Sequence, residues 1–473
     1  MIFSKLVSRL ALASRIALFG TAAICLAWSA HVVTQRLVQF SSSAAALLVG
    51  VPLLVAAFAA YVALRFDDNS VRRIVREMFF LGVSLLAVET LVAYWAPDRA
   101  DSQLTRAMFA HRLGLPFDTR TKSQVVAALQ SKGTDVLPGI SREWPRLSGV
   151  RQQLPENFFP LSHASNTQIV ECNEGGEYVL FATDEFGLNN PRGLLLSKRI
   201  DAAVLGSSFA LGHCVPPDKS FVAVLRSSFP RIANFGMAGS GVLSSLATFR
   251  EYVEPLKPPV VIWIVNALMV DTHEEFADPI LSQYMRPTYS QHLATRQELI
   301  DRTWRELAVS AQFEFDRKSK VVSNRADSNR FDGIPYLYNL RHRMKVDRFP
   351  IAQRHAPDLA PFLACLDLAK QTVERWGGTF VVVIEPLYAE AVAGELDEAL
   401  RHDHLATAIE RSGISVIDAV DAIRPISDRQ GLYTLRSDNH LNAKGTAIVG
   451  AFVTAQLKTL VHRHSADSAS EDR

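Results

Sequence analysis

A pair of serines, a late histidine with an aspartate two residues before it, and two glycine- or asparagine-bearing strand ends are the residues here with types suited to chemistry. In VLGSSFALGHCV, Val204 to Val215, an apolar run from Ile200 to Leu205 stops at Gly206, and Ser207 and Ser208 open a segment with helical spacing. That pattern is a strand feeding a tight turn, and the carboxyl ends of strands in an open α/β sheet are where reacting groups collect. RSDNHLNAKG offers His440 as a base and Asp438 as the group that orients it. The loop NFGMAGSG supplies Gly236 and Gly239, whose N–H groups lack side-chain cover, and Asn266 closes the run VVIWIV with an amide donor. A hydroxyl, an imidazole, a carboxylate and N–H donors for an oxyanion are the requirements of nucleophilic acyl chemistry. Each residue alone has an ordinary alternative, such as a helix cap for the serines or a turn former for a glycine. Their falling at successive strand ends is what joins them into one site. Turn geometry does not separate Ser207 from Ser208. His213 and Cys214 follow closely, but neighbours on a helix point in different directions, and both are read as packing residues.

These residues need a scaffold, and the apolar runs supply one. Ile200–Leu205, Ile232–Phe235, Val260–Val265, Phe380–Ile384 and Ile414–Ile417 are unbroken apolar stretches, as parallel strands buried on both faces require. Helical spacing fills the intervals at Phe221–Phe229 and Leu243–Leu256, which predicts a doubly wound sheet with helices on both sides. Residues 271–350 break that rhythm, being charged, aromatic and largely helical by spacing. They read equally as a cap over the site or a peripheral decoration.

The front of the chain is different in kind. Ile16–Val33, Ala44–Leu64 and Met78–Ala96 are each long enough to cross a hydrocarbon layer about 30 Å thick, which predicts three transmembrane helices in residues 1–97. Lys5, Arg9 and Arg15 precede the first, and Arg65, Arg72, Arg73 and Arg76 fill the second connection, so the amino terminus is expected inside and everything after Pro97 outside, in a bacterial periplasm. Glu89, within the third apolar run, should face a neighbouring helix or a partner. Residues 98–170 read as a neck, 171–463 as the catalytic domain and 464–473 as a disordered tail. Of the four cysteines, Cys25 lies in an apolar run; Cys172, Cys214 and Cys365 leave room for one disulfide, whose pairing the sequence does not choose. A formal charge of +2 over 473 residues, with basic residues scattered, argues against a nucleic-acid partner.

The order of these blocks resembles the SGNH (GDSL-like) hydrolase superfamily, over roughly Cys172 to the end of the domain. CNEGGEY followed by TDEFGLNNP, and LATFREYVEPLKPPVVIWIV, look like the lead-in, helix and third strand of bacterial membrane-linked members. The resemblance implies a three-layer αβα sandwich with a mainly parallel flavodoxin-like sheet. It also implies Ser208 as nucleophile, His440 as base, Asp438 as its partner, and an oxyanion hole from the Ser208 N–H, Gly239 and Asn266. No metal and no organic cofactor is implied. The family's GDS is here Gly206-Ser207-Ser208, its glycine-asparagine-aspartate is Val265-Asn266-Ala267, and its final acid and histidine are spaced Asp-x-His.

The expected function is that of a membrane-anchored periplasmic serine esterase, removing or transferring O-acyl groups on a cell-envelope or exported saccharide through an acyl-Ser208 intermediate. Its expected partners are the acylated saccharide or another ester, the inner membrane, and envelope polysaccharide assembly proteins. The competing expectation is a catalytically degenerate domain that binds polysaccharide or scaffolds an assembly complex, supported by the altered blocks.

Overall fold

The five apolar runs become one sheet. β4 (Ala202–Leu205), β5 (Ile232–Asn234), β6 (Val260–Val265), β7 (Thr379–Ile384) and β8 (Ser415–Asp418) are all parallel, in the order β5-β4-β6-β7-β8. In this computed structural model the described residues are 2–35, 42–95, 103–141, 154–155, 157–308, 358–393, 401–437 and 440–471. The chain divides into two compact units, one within Met1–Asp98 and the other within Arg99–Ser323 and Pro357–Arg473.

In the second unit, side chains alternate along each strand, so the sheet is buried twice. Ala203, Leu205, Val261, Trp263, Val382 and Ile384 pack on one face with Phe362 and Leu366 of the helix Ala360–Arg375 and Leu246 of Val242–Thr248. Val204, Ile262, Ile264, Val381 and Val383 pack on the other with Phe221 and Leu225 of Phe221–Arg226 and Val449 and Val453 of the last helix, Ala443–Glu471. Fully burying one such aliphatic side chain contributes roughly 1.5–3 kcal/mol. The expected α/β sandwich with a parallel sheet is observed. Because β4 lies between β5 and β6, the winding reverses there and opens a crevice at the carboxyl end of β4.

Three expectations need correction. The residues expected as a neck belong to the second unit: β1 (Val136–Pro138) pairs parallel with β2 (Gln168–Cys172), which pairs antiparallel with β3 (Val179–Ala182), and Leu154, Phe158, Phe159 and Leu161 join its core. A three-residue strand and an acid-bearing one carry too little periodic signal to be seen in sequence. The tail expected to be disordered continues the last helix as far as Glu471.

The third correction concerns the front. Helices α1 (Ile2–Gln35), α2 (Ser42–Arg65) and α3 (Asp68–Trp95) form where apolar runs were read. Among the described residues, however, only Leu10–Ala27 is long and apolar enough to cross a membrane; α2 offers the shorter run Val49–Arg65. α3 spends its first turns on Asp68, Arg72, Arg73, Arg76 and Glu77, which suit water. Within this unit Leu18 and Ala22 pack against Ala56, Ala59 and Val71, and Arg15 pairs with Asp68 at 2.8 Å. Glu89 is fully buried.

Of the segment 271–350, residues 271–308 are described and the rest lie outside the described residues. Two buried glutamates tie the described part to the sheet unit. Glu275 accepts from the Gly241 and Leu243 N–H groups at 3.0 and 2.8 Å, and Glu251 accepts from the Tyr284 hydroxyl and the Leu293 N–H at 2.6 and 2.8 Å. Leu281, Tyr284, Leu293, Ile300 and Trp304 enter the core, so this part is packed structure.

Candidate active site

Ser208 begins the short helix Ser208–Leu211 that follows β4, and Gly206 makes the turn possible. Its φ of 144° lies where only glycine is at ease, and a Cβ there would stand 2.8 Å from the Ile264 carbonyl oxygen. Gly236 performs a second close approach: a Cβ on it would meet the Leu211 nitrogen at 2.5 Å and Ala210 Cβ at 2.6 Å. The glycine loop is thereby pressed against the helix that carries Ser208.

Of the adjacent serines, Ser208 is the one that meets the histidine: its Oγ lies 2.8 Å from His440 Nε2. The two residues are 232 apart in sequence. On the far side of the ring, Nδ1 lies 2.9 Å from Glu174 Oε2. The tautomer that satisfies both contacts carries its proton on Nδ1, donates it to Glu174, and accepts the Ser208 hydroxyl proton at Nε2.

Among the described residues the carboxylate on His440 Nδ1 is Glu174, a residue other than the expected Asp438. Asp438 lies outside the described residues, and the Nδ1 side of the ring faces the exit of β2. Glu174 is held from several directions. Arg106 Nη2 is 3.3 Å from its Oε1, and the turn that presents it is closed by the Gly176 N–H donating to Asn173 Oδ1 at 2.9 Å. Asn173 Nδ2 donates to the Asp118 carbonyl at 2.9 Å, and a Cβ on Gly176, whose φ is 118°, would collide with the Pro116 carbonyl. Residues read as a neck thus fix the acid.

Electrostatics follow from this packing. Burial would raise the Glu174 carboxyl, but the charge and hydrogen bond of His440, aided by His213 and Arg106, hold it well below the usual carboxylate range. Burial pulls the His440 imidazole down, yet the Glu174 charge and hydrogen bond, with Glu385 adding to them, outweigh it and leave the ring above its ordinary value. The ring is thus a stronger base than a free imidazole.

The expected oxyanion donors lie at neighbouring strand ends. Gly239, with φ 73°, is in the loop after β5, and Asn266 follows β6, so they flank the end of β4 where Ser208 stands. Asn266 is fixed at both ends of its amide: Oδ1 accepts from the Leu268 N–H at 3.0 Å, and Nδ2 donates to Glu385 Oε2 at 2.7 Å. Glu385, at the end of β7, is buried and its carboxyl is pushed up by desolvation, an effect partly offset by the Asn266 amide and His440.

A second acid and imidazole pair lies alongside. His213 Nδ1 is 2.6 Å from Glu171 Oε1, and its ring stands edge-on to that of His440 with centroids 4.7 Å apart. Cys172 and Cys214 form a disulfide, which settles the pairing left open and joins β2 to the segment after the Ser208 helix. Cys365 is buried as a thiol, and its burial pushes it up. Glu174, Glu171 and Glu385 were all missed as functional residues in sequence. The first two had a faint signal, since acids at positions 171 and 174 bracket a cysteine at the end of an otherwise apolar strand.

No protein-family model matches the chain, and no curated protein matches it. Two solved structures show a likeness. A lipase/acylhydrolase from Enterococcus faecalis has 10% identity, with 55% of this chain and 96% of that one covered at a TM-score of 0.30. A G-D-S-L family protein from Desulfitobacterium hafniense DCB-2 has 13% identity, with 54% and 99% covered at a TM-score of 0.27. At such scores neither likeness carries an argument about family or chemistry.

Proposed function

We propose that the sheet-bearing unit is a serine esterase of SGNH type working through an acyl-Ser208 intermediate. The observation that carries this reading is the continuous chain Ser208 Oγ, His440, Glu174, with contacts of 2.8 and 2.9 Å and its proton direction set by a buried carboxylate. His440 takes the Ser208 proton as Oγ attacks an ester carbonyl, and the resulting imidazolium is stabilised by Glu174. The oxyanion is received by the Ser208 and Gly239 N–H groups and the Asn266 amide, which Glu385 and Leu268 hold in one orientation. As the tetrahedral species collapses, the imidazolium gives its proton to the leaving alkoxide. A second hydroxyl, from water or a sugar, then repeats the sequence on the acyl-serine. Water makes the outcome hydrolysis, and a saccharide hydroxyl makes it O-acyl transfer.

The place of action is part of the proposal. The apolar stretch Leu10–Ala27 of α1, with Lys5 and Arg9 on its amino-terminal side, suits an inner-membrane anchor with a cytoplasmic amino terminus. Exposed Leu54, Phe58, Phe79 and Phe80 on α2 and α3 suit an apolar environment. A single crossing would place the α/β unit in the periplasm, and the Cys172–Cys214 disulfide suits that oxidising compartment. O-acyl groups on an envelope or exported saccharide are then the substrate class within reach, with assembly proteins of that saccharide as neighbours.

Hydrolysis of p-nitrophenyl acetate by the full chain in detergent tests the reading. The wild type should turn over, and Ser208→Ala should lose roughly four to six powers of ten in rate while keeping its fold. An unchanged rate in that variant would remove the mechanism. An inert wild type would favour the polysaccharide-binding scaffold.

A further inference from the structure

Two imidazoles, each with a buried glutamate on Nδ1, meet edge-on in this site, and only one of them touches Ser208. His213 keeps Nδ1 on Glu171, which leaves its Nε2 as the atom free to bind something else. One nitrogen of each ring and one oxygen of Glu174 lie within 4.8 Å of one another. A tetrahedral zinc site with bonds of about 2.1 Å needs ligand atoms about 3.4 Å apart, so side-chain shifts on the order of an ångström would complete it. The donor set, two histidines and a glutamate, is one that zinc-class ions favour. Glu171 behind His213 supplies the outer carboxylate that orients a metal-binding imidazole and raises its basicity. The disulfide Cys172–Cys214 holds Glu171, Glu174 and His213 on two segments fastened together.

We infer that His213, His440 and Glu174 form a binding site for a zinc-class divalent cation, and that the ion switches off Ser208. The ion takes the place of the proton between His440 Nδ1 and Glu174 Oε2, where the atoms are 2.9 Å apart. A neutral imidazole has one N–H. With a metal on Nδ1 that proton sits on Nε2, which then donates toward Ser208 and cannot accept its proton. Glu174 is drawn from base to metal in the same event.

The inhibition arm rests on the esterase reading, whereas binding does not, so the two are measured separately. Zinc chloride is titrated by calorimetry into the full-length Ser208→Ala protein in detergent, and into the active protein during p-nitrophenyl acetate hydrolysis. Both are done without reductant, since free Cys172 and Cys214 beside His213 would offer a different ligand set. The expected result is binding by the Ser208→Ala protein and loss of hydrolysis over the same zinc range. With each protein measured against its own zinc-free rate, His213→Gln should need at least tenfold more zinc for both effects, and Glu171→Gln should weaken binding about 10- to 100-fold. Equal zinc sensitivity in wild type and His213→Gln would overturn the proposal, as would absence of calorimetric binding up to about 1 mM zinc. Zinc binding that His213→Gln weakens, in a chain inert toward esters, would keep the metal site and overturn the esterase reading together with the inhibition arm.

Discussion

His440 with Glu174 and His213 with Glu171 are nearly the same object built twice. Each is an imidazole with Nδ1 on a buried glutamate, at 2.9 and 2.6 Å, and the rings stand 4.7 Å apart. The acids come from one short segment, yet only His440 reaches Ser208. An acid and imidazole pair is therefore a fragment of chemistry, and what turns it into a base is the strand end it faces. His440 faces the reversal point of a parallel sheet, where a glycine turn has put a hydroxyl 2.8 Å away. His213 stands one ring further off.

The largest effect that could break this comparison is in rate. Glu174→Gln should lower ester hydrolysis by about 10³- to 10⁴-fold, as expected when the group that sets the tautomer of the base is lost. Glu171→Gln should change it by less than about tenfold, and equal losses would make the two pairs one functional unit. The same Glu174→Gln protein sharpens the electrostatic claim. In the wild type the rate should rise with pH through a pKa above that of an ordinary imidazole, because His440 must be neutral to accept a proton and Glu174 favours its charged form. Removing that carboxylate should move the acid limb to lower pH.

Next in size is the covalent link under both pairs. Replacing Cys172 and Cys214 together by serine should cost about 2–4 kcal/mol in a denaturant titration, since the bridge closes a separation of 42 residues. A smaller effect separates the acids by stability. The Glu171 carboxyl falls from 4.5 to about 2 because hydrogen bonding and charge from His213, with Lys122 and His163, outweigh its burial. A depressed carboxylate contributes stability that is present above about pH 4.5 and lost as pH falls toward about 2. Thermal melting should therefore drop across that window, and less steeply in Glu171→Gln. The smallest expected effect is that of Asp438→Asn, within about threefold in rate, because Glu174 already fills Nδ1; a loss matching that of Glu174→Gln would return the role to Asp438.

The sheet was legible because strands buried on both faces read as apolar runs, with VVIWIV of β6 the clearest and β4 and β7 alike. Ser208 and His440 were legible because one follows a glycine at a strand end and the other sits in a polar loop before a helix. Glu174 was not, since it lies 266 residues from His440, in the turn after β2 of a second, smaller sheet whose strands are short. An Asp two residues from a His is a visible pattern, whereas a carboxylate delivered by another sheet leaves no mark on spacing. Three membrane crossings were expected, and among the described residues one stretch, Leu10–Ala27, is long and apolar enough to cross a membrane. Apolar runs set where helices form, but the charged first turns of α3, with Asp68, Arg72, Arg73, Arg76 and Glu77, suit water rather than a bilayer.

The most direct measurement is covalent labelling with a fluorophosphonate ester, followed by mass spectrometry to locate the adduct, in wild type and Glu174→Gln. The account predicts a single adduct on Ser208 in the wild type, formed at least about a hundredfold more slowly without Glu174. An adduct on Ser207 or elsewhere, or an undiminished rate in Glu174→Gln, would contradict it.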